Sequence, residues 1–196
     1  HRHARWGAPA AAALAALAIA AWTFDAKLGL SGDDTEFITL ARSLAAGDGL
    51  TDTSLPEPRA ATKYPFGFPL MLAPFAAALG GWDGPGSGTP DWIAMKGFVA
   101  CTFAAAMALL YLLVRDEAGD GQAAVVALLA VTNPLTADYA HQVMSEVPYL
   151  ALSLLALWLL GRGCARPGWR GNPWLWAGIA AALAAYYTRS VGIVLV

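Results

Sequence analysis

Charge is scarce in this chain. Only 13% of its 196 residues are Asp, Glu, Lys or Arg, while 58% are hydrophobic; soluble domains average about 25% charged and about 45–50% apolar. The shortage excludes a disordered chain, which needs high charge and few apolar residues, and argues against an ordinary soluble domain. A formal net charge of -2 leaves no basic excess to hold nucleic acid. Cysteine is equally thin. Cys101 and Cys164 are too few for a disulfide framework and have no histidine at metal-ligand spacing, so packing is their expected role. There is no initiator Met before His1-Arg2-His3, and the chain stops inside the apolar run 191–196. We expect residues 1–196 to be the N-terminal part of a single membrane-embedded domain, truncated at its C-terminus.

Long uncharged runs are what the chain has instead. A spanning helix needs about 20 largely apolar residues. Residues 6–24, 97–114, 121–137, 147–161 and 171–188 come near that length without a charge. Trp92 extends the second run if Lys96 snorkels, and the fourth spans if it borrows residues 144–146. Trp174, Trp176, Tyr186 and Tyr187 bracket the fifth as an aromatic belt. A signal peptide is the rival reading of the first run, but Trp22-Thr23-Phe24 makes a poor cleavage site. A sixth stretch, 64–82, holds Pro65, Pro69 and Pro74, and internal proline breaks helices. If it does not span, Arg2, Arg5, Arg115, Arg162, Arg166 and Arg170 all fall on one side, which the positive-inside rule makes cytoplasmic. The expected fold is therefore an all-α, multi-pass protein of the cytoplasmic membrane. It has about five transmembrane helices, a cytoplasmic N-terminus, and an outer-face loop with amphipathic and interfacial helices, residues 65–79 among them. Residues 80–90, rich in glycine, read as a flexible connector.

The outer segment, 25–91, carries a second pattern. Phe37, Leu40, Ala41 and Leu44 recur on one helical face, which predicts a surface helix over 34–46. Asp33 is its expected N-cap, Glu36 completes a capping box, and Gly47 is the natural stop. The acid pair Asp33-Asp34 can thus be a cap and a dipole partner, or a carboxylate base at the interface. Lys63 can snorkel, or grip a phosphate as a point charge. Asp138 and His141, three residues apart on a predicted helix face, stand near Glu146 at the next outer turn. No cofactor is certain; a divalent metal held by Asp138, His141 and Glu146 is conceivable at a spacing that matches no established motif. Arg189 lies on the side away from the arginine cluster and needs a partner, either a carboxylate such as Asp34 or an anionic ligand. The topology predicts that all seven ionisable residues gather at one face.

Gly32-Asp33-Asp34-Thr35-Glu36-Phe37, running through Arg42 to Gly47-Asp48-Gly49-Leu50, resembles the first outer loop of C-type membrane glycosyltransferases, in particular the protein O-mannosyltransferase and aminoarabinose transferase group. Lys63-Tyr64-Pro65-Phe66-Gly67-Phe68-Pro69-Leu70 is similar to that group's Lys/Arg-Pro-Pro element, with Tyr64 and Phe66 departing from it, and Ser145-Glu146-Val147-Pro148 also has counterparts. The resemblance implies a polyprenyl-phosphate sugar donor, a lipid, glycan or protein acceptor, and inverting transfer at the periplasmic or extracellular face. It implies that Asp33 is the base, with Asp34 beside it, and that Lys63 contacts the donor phosphate. Arg189, Glu146, His141 and Asp138 are the further candidates for substrate binding. The alternatives are a transporter or lipid flippase, which would want ionisable groups near the bilayer midplane, and a non-catalytic membrane scaffold.

Overall fold

A computed structural model describes residues 4–28, 33–54, 56–79 and 91–195. The predicted connector 80–90 and Arg2 lie outside them. The described chain is all-helical apart from a minimal antiparallel hairpin. In order come α1 (Ala4–Trp22), α2 (Asp33–Ala46), β1 (Thr51–Asp52), β2 (Arg59–Ala60), α3 (Gly67–Leu79), α4 (Asp91–Ala118), α5 (Asp120–Thr132), α6 (Pro134–Tyr139), α7 (Glu146–Cys164) and α8 (Pro173–Thr188), with a closing 3-10 turn, Ser190–Leu195.

α4 packs against α1, α5 and α7, and α8 packs on the far side of α7, while α2 and α3 lie together against that bundle. Among the described residues two helices, α4 and α7, are long and apolar enough to cross a membrane, and only 39% and 28% of their apolar windows are buried within the chain. A core helix of a soluble protein would be mostly buried. Leu14, Leu128, Leu129, Leu157 and Leu183 likewise point outward from α1, α5, α7 and α8, as expected where the surrounding medium is hydrocarbon. The shorter apolar helices are Trp6–Trp22, Gly67–Leu79 and Asp120–Thr132.

The third predicted run does not form one helix. Asn133 takes an extended conformation, its side chain accepts the Leu135 N–H at 2.9 Å, and Pro134 opens α6. Proline disfavours the helical region for the residue before it, so α5 must end there. The corner between α4 and α5 is a single residue, Gly119, at φ 95°; the Tyr111 hydroxyl closes it by donating to Asp120 at 2.8 Å.

Small residues set the helix separations. A Cβ on Gly163 would come within 2.8 Å of the Leu175 backbone, and one on Gly178 within 2.8 Å of Leu160, so α7 and α8 approach through glycine. A third close approach joins α3 to α8. A Cβ on Gly67 would lie 2.5 Å from the Tyr187 carbonyl oxygen. This contact brings the segment before α3 to the end of α8.

Charges separate to the two ends of the bundle. At one end Arg162 pairs with Asp116 at 3.4 Å and stacks on Trp158 at 4.2 Å, while Arg166 and Arg170 lie over Trp174 and Trp169. At the other end are Asp33, Lys63, Glu146 and Arg189. Lys96 does not snorkel to solvent. It is 1% exposed and gives its ammonium to the backbone carbonyls of Asp25, at 2.7 Å, and Lys27.

We predict that Gly67→Ala destabilises the protein by about 1–3 kcal/mol through overpacking. Gly97→Ala, which would meet nothing within 4 Å, should be neutral or stabilising. Thermal unfolding in detergent, followed by tryptophan fluorescence, compares the two; equal midpoints would contradict the close α3–α8 contact.

Candidate functional site

α2 begins at Asp33 and buries Phe37, Ile38, Leu40 and Ala41. The predicted helix over 34–46 thus forms with one added residue, and it stops at Gly47, which has φ 89°. Phe37 meets Tyr64 at 4.5 Å between ring centroids and Phe68 edge-on at 4.9 Å. Those rings hold residues 63–68 across the start of α2. Asp33 and Glu36 are one turn apart, so both reach the Lys63 ammonium, at 3.2 and 3.0 Å. Glu36 therefore serves as a partner for Lys63, whereas the sequence pattern assigned it to the cap. Lys63 also lies 4.5 Å above the Tyr64 ring.

The opposite wall comes from α7 and α8. They run antiparallel, so the start of α7 stands beside the end of α8. Arg189 caps α8 in an extended conformation, and its guanidinium reaches Glu146 at 2.6 Å and donates to the Ser145 hydroxyl at 3.4 Å. Asp33, Lys63, Tyr64, Glu146 and Arg189 all line one cavity of about 220 Å³, with Phe37, Met144 and Thr188 as its apolar lining. Two polar atoms here are buried and unpartnered, Glu146 Oε2 and the Tyr64 hydroxyl. Leaving such groups unsatisfied is costly, and both belong to residues that line this cavity. A larger, more apolar cavity of about 370 Å³ lies across α2, between Ile38 and Trp92. Its one cation, Arg42, already makes a two-pronged contact with buried Asp91 at 2.8 and 2.5 Å.

The cavity is electrostatically biased. The Tyr64 hydroxyl, followed by the Lys63 ammonium and the Arg189 charge, holds the Asp33 carboxyl below its ordinary value of 3.8, against a smaller opposing effect of burial. The hydroxyl does this by proximity, since it makes no hydrogen bond of good geometry. Tyr64 and Glu36, more than Asp33, push Lys63 upward, and burial pushes Tyr64 upward. Both members of the Lys63–Asp33 pair are therefore charged at neutral pH.

Four of the seven predicted site residues meet here: Asp33, Lys63, Glu146 and Arg189. The other three do not line the cavity. Asp34 is 1% exposed, with Oδ1 accepting the Thr35 N–H at 2.9 Å. The expected shared face of Asp138 and His141 is absent because α6 ends at Tyr139. Asp138 is exposed and accepts from Gln142 at 2.8 Å, whereas His141 is buried, with Nδ1 3.3 Å from the Ala137 carbonyl and 3.4 Å from the Thr23 hydroxyl. Among the described residues no three His, Cys, Asp or Glu side chains converge to hold a metal. The carboxylate partner of Arg189 is Glu146, where the sequence suggested Asp34. Tyr64, Ser145 and Phe37 join the site without having been singled out for it; the only signal was Tyr64 standing where the resemblance expects proline.

Residues 88–196, more than half of the chain, match the family described as dolichyl-phosphate-mannose-protein mannosyltransferase. The chain belongs to that family. Its members are membrane glycosyltransferases of the mannosyltransferase type. No curated protein and no solved structure matches the chain. The matched region of this mannosyltransferase-family chain contributes Glu146 and Arg189 to the cavity, while Asp33 and Lys63 come from the segment before it.

The sign of the pH dependence follows from these shifts. A depressed Asp33 contributes stability above about pH 3.8 that is lost as pH falls through its lower folded value; a raised Lys63 contributes below about pH 10.5 and is lost only above that. Infrared difference spectra of wild type against Asp33→Asn should show an ionised carboxylate down to about pH 4. A protonated-acid band from Asp33 at about pH 5 would contradict the assigned direction.

Proposed function

We propose that this chain carries the donor end of a glycosyltransferase site that moves a sugar from a polyprenyl phosphate to an acceptor hydroxyl with inversion. The observation that carries this reading is the convergence, in one cavity, of a carboxylate and two cations from three separate segments: Asp33 of α2, Lys63 before α3, and Arg189 after α8. A transfer of this kind needs a base on one side of the sugar carbon and positive charge on the other.

The acceptor oxygen attacks the anomeric carbon while the carbon–oxygen bond to phosphate breaks. The acceptor proton passes to Asp33, and the electron pair leaves on the polyprenyl phosphate, whose oxygens Lys63 and Arg189 meet. Both cations of the cavity lie on carboxylates. A donor phosphate competes for them. Drawing Lys63 away removes part of what holds Asp33 low and raises its basicity, so donor binding arms the base. Glu146 and Tyr64, with their unpartnered atoms, are suited to sugar hydroxyls. The remaining candidates, Asp34, Asp138 and His141, do not line the cavity and take no part in this step.

Topology fits the same reading. Five membrane crossings, with α3 as an interfacial helix too short to span, put the arginine–tryptophan end in the cytoplasm by the positive-inside rule. The cavity then opens at the outer face, where the sugar phosphate stands above the lipid and the polyprenyl tail remains among the outward-facing leucines. The residues act as part of one membrane-embedded domain, and the acceptor is a lipid, glycan or protein hydroxyl.

Full-length protein in membranes, given a panel of radiolabelled polyprenyl-phosphate sugars, tests this. Asp33→Asn should lower transfer by about 10²–10⁴-fold with donor KM little changed. Lys63→Ala should lower it by about 10²–10³-fold. Equal transfer by wild type and Asp33→Asn would remove Asp33 as the base and favour the scaffold reading, in which the acid pair only ends a helix.

A further inference from the structure

Asp33 and Asp34 are neighbours, and a helix turns about 100° between them. Only one can face the cavity. Asp33 does, with its side chain 37% exposed, and Asp34 is turned away, 1% exposed. Asp34 could reach Lys63 only after α2 turned by about 100°, which the packing of Phe37 on Tyr64 and Phe68 opposes from the cavity side. A second restraint lies behind the helix, in two buried charges of α4.

Asp91, the first residue of α4, is fully buried and takes both prongs of Arg42. Lys96, one to two turns further on, is buried at 1% exposure in a segment that enters the apolar layer. Its ammonium binds the carbonyls of Asp25 and Lys27 in the chain leading to α2. Asp34, Ile38 and Arg42 are four residues apart and form one row along α2. Asp91 therefore grips the far end of that row through Arg42, while Lys96 holds the chain that leads toward its near end. A buried ion that loses its partner is strongly unfavourable, and an ionisable group inside a membrane segment is costly unless it has a role. Turning α2 would break the Arg42–Asp91 contact.

We propose that Lys96 and Asp91 are positioning residues that set the rotation of α2, so that Asp33, and not Asp34, enters the cavity. The functional meaning rests on the reading of the cavity given above, but the test needs no sugar.

In the full-length protein with Cys101→Ser and Cys164→Ser, single thiols are introduced as Asp33→Cys, Asp34→Cys or Ala140→Cys. Their rates of modification by a small water-soluble maleimide are measured in detergent. The thiol at position 33 should react at least about tenfold faster than that at 34, because a buried group reacts only through local opening. Adding Lys96→Met or Asp91→Asn should bring the two rates to within about twofold, by slowing 33 and speeding 34, while the buried position 140 stays slow. Lys96→Arg should restore most of the difference. An undiminished difference in Lys96→Met and Asp91→Asn overturns the proposal. So does a matching rise at position 140, which would mean that these residues only hold the fold. Loss of the 33/34 contrast on Lys96→Met or Asp91→Asn, together with equal sugar transfer by otherwise unaltered wild type and Asp33→Asn, would leave the positioning role standing and refute the reading of Asp33 as the base alone.

Discussion

An ionised side chain cannot stay alone in a hydrocarbon layer, and that constraint organises this molecule. With so few charges in the chain, each must either reach an end of the bundle or find a partner. Arg162, Arg166 and Arg170 go to one end and lie against tryptophan rings. Arg189 and Glu146 go to the other and neutralise each other at 2.6 Å. Because α7 and α8 run antiparallel, the start of one and the end of the other deliver those two charges to the same place without further design.

Close packing then converts an end into a site. Gly67 lets the first turn of α3 press on the last turn of α8, so the segment bearing Lys63 and Tyr64 crosses to Arg189. Phe37 holds that segment on α2 through two aromatic contacts. The apolar contacts determine where the charged groups stand, and the charged groups determine what the cavity can hold. Its two cations are each occupied by a carboxylate. In the proposed reaction a donor phosphate would displace those contacts and so change the acid strength of Asp33.

Buried charge has a second use here. Lys96 and Asp91 sit in the first turns of α4, where Asp91 holds Arg42 of α2 and Lys96 holds the chain before α2. Apolar packing of Phe37, Ile38, Leu40 and Ala41 fixes much of the rotation of that helix, and the Arg42–Asp91 pair adds a directional contact on its other side. Directional hydrogen bonds from an ammonium and a carboxylate discriminate between angles, which is what a site with two adjacent acids requires.

Local pattern was legible in the residues alone. The period of Phe37, Leu40, Ala41 and Leu44 defined α2 to within a residue, Gly47 ended it, and the lack of charge over long runs announced membrane helices, because each depends on neighbours within one or two turns. The resemblance to mannosyltransferases was legible too, and so was the gathering of Asp33, Lys63, Glu146 and Arg189, which the structure brings to one cavity. What the sequence could not decide was every question of angle and pairing. Asn133-Pro134 was visible, but its effect in separating Asp138 from His141 depends on how the chain resumes after the break. Lys96 read as a snorkelling residue until the carbonyls of Asp25 and Lys27, about 70 positions away, came to it in the fold. Arg189 chose Glu146 over Asp34, and Asp33 rather than Asp34 met Lys63, because contacts between segments distant in the chain are set by helix rotation and separation, which only tertiary packing determines.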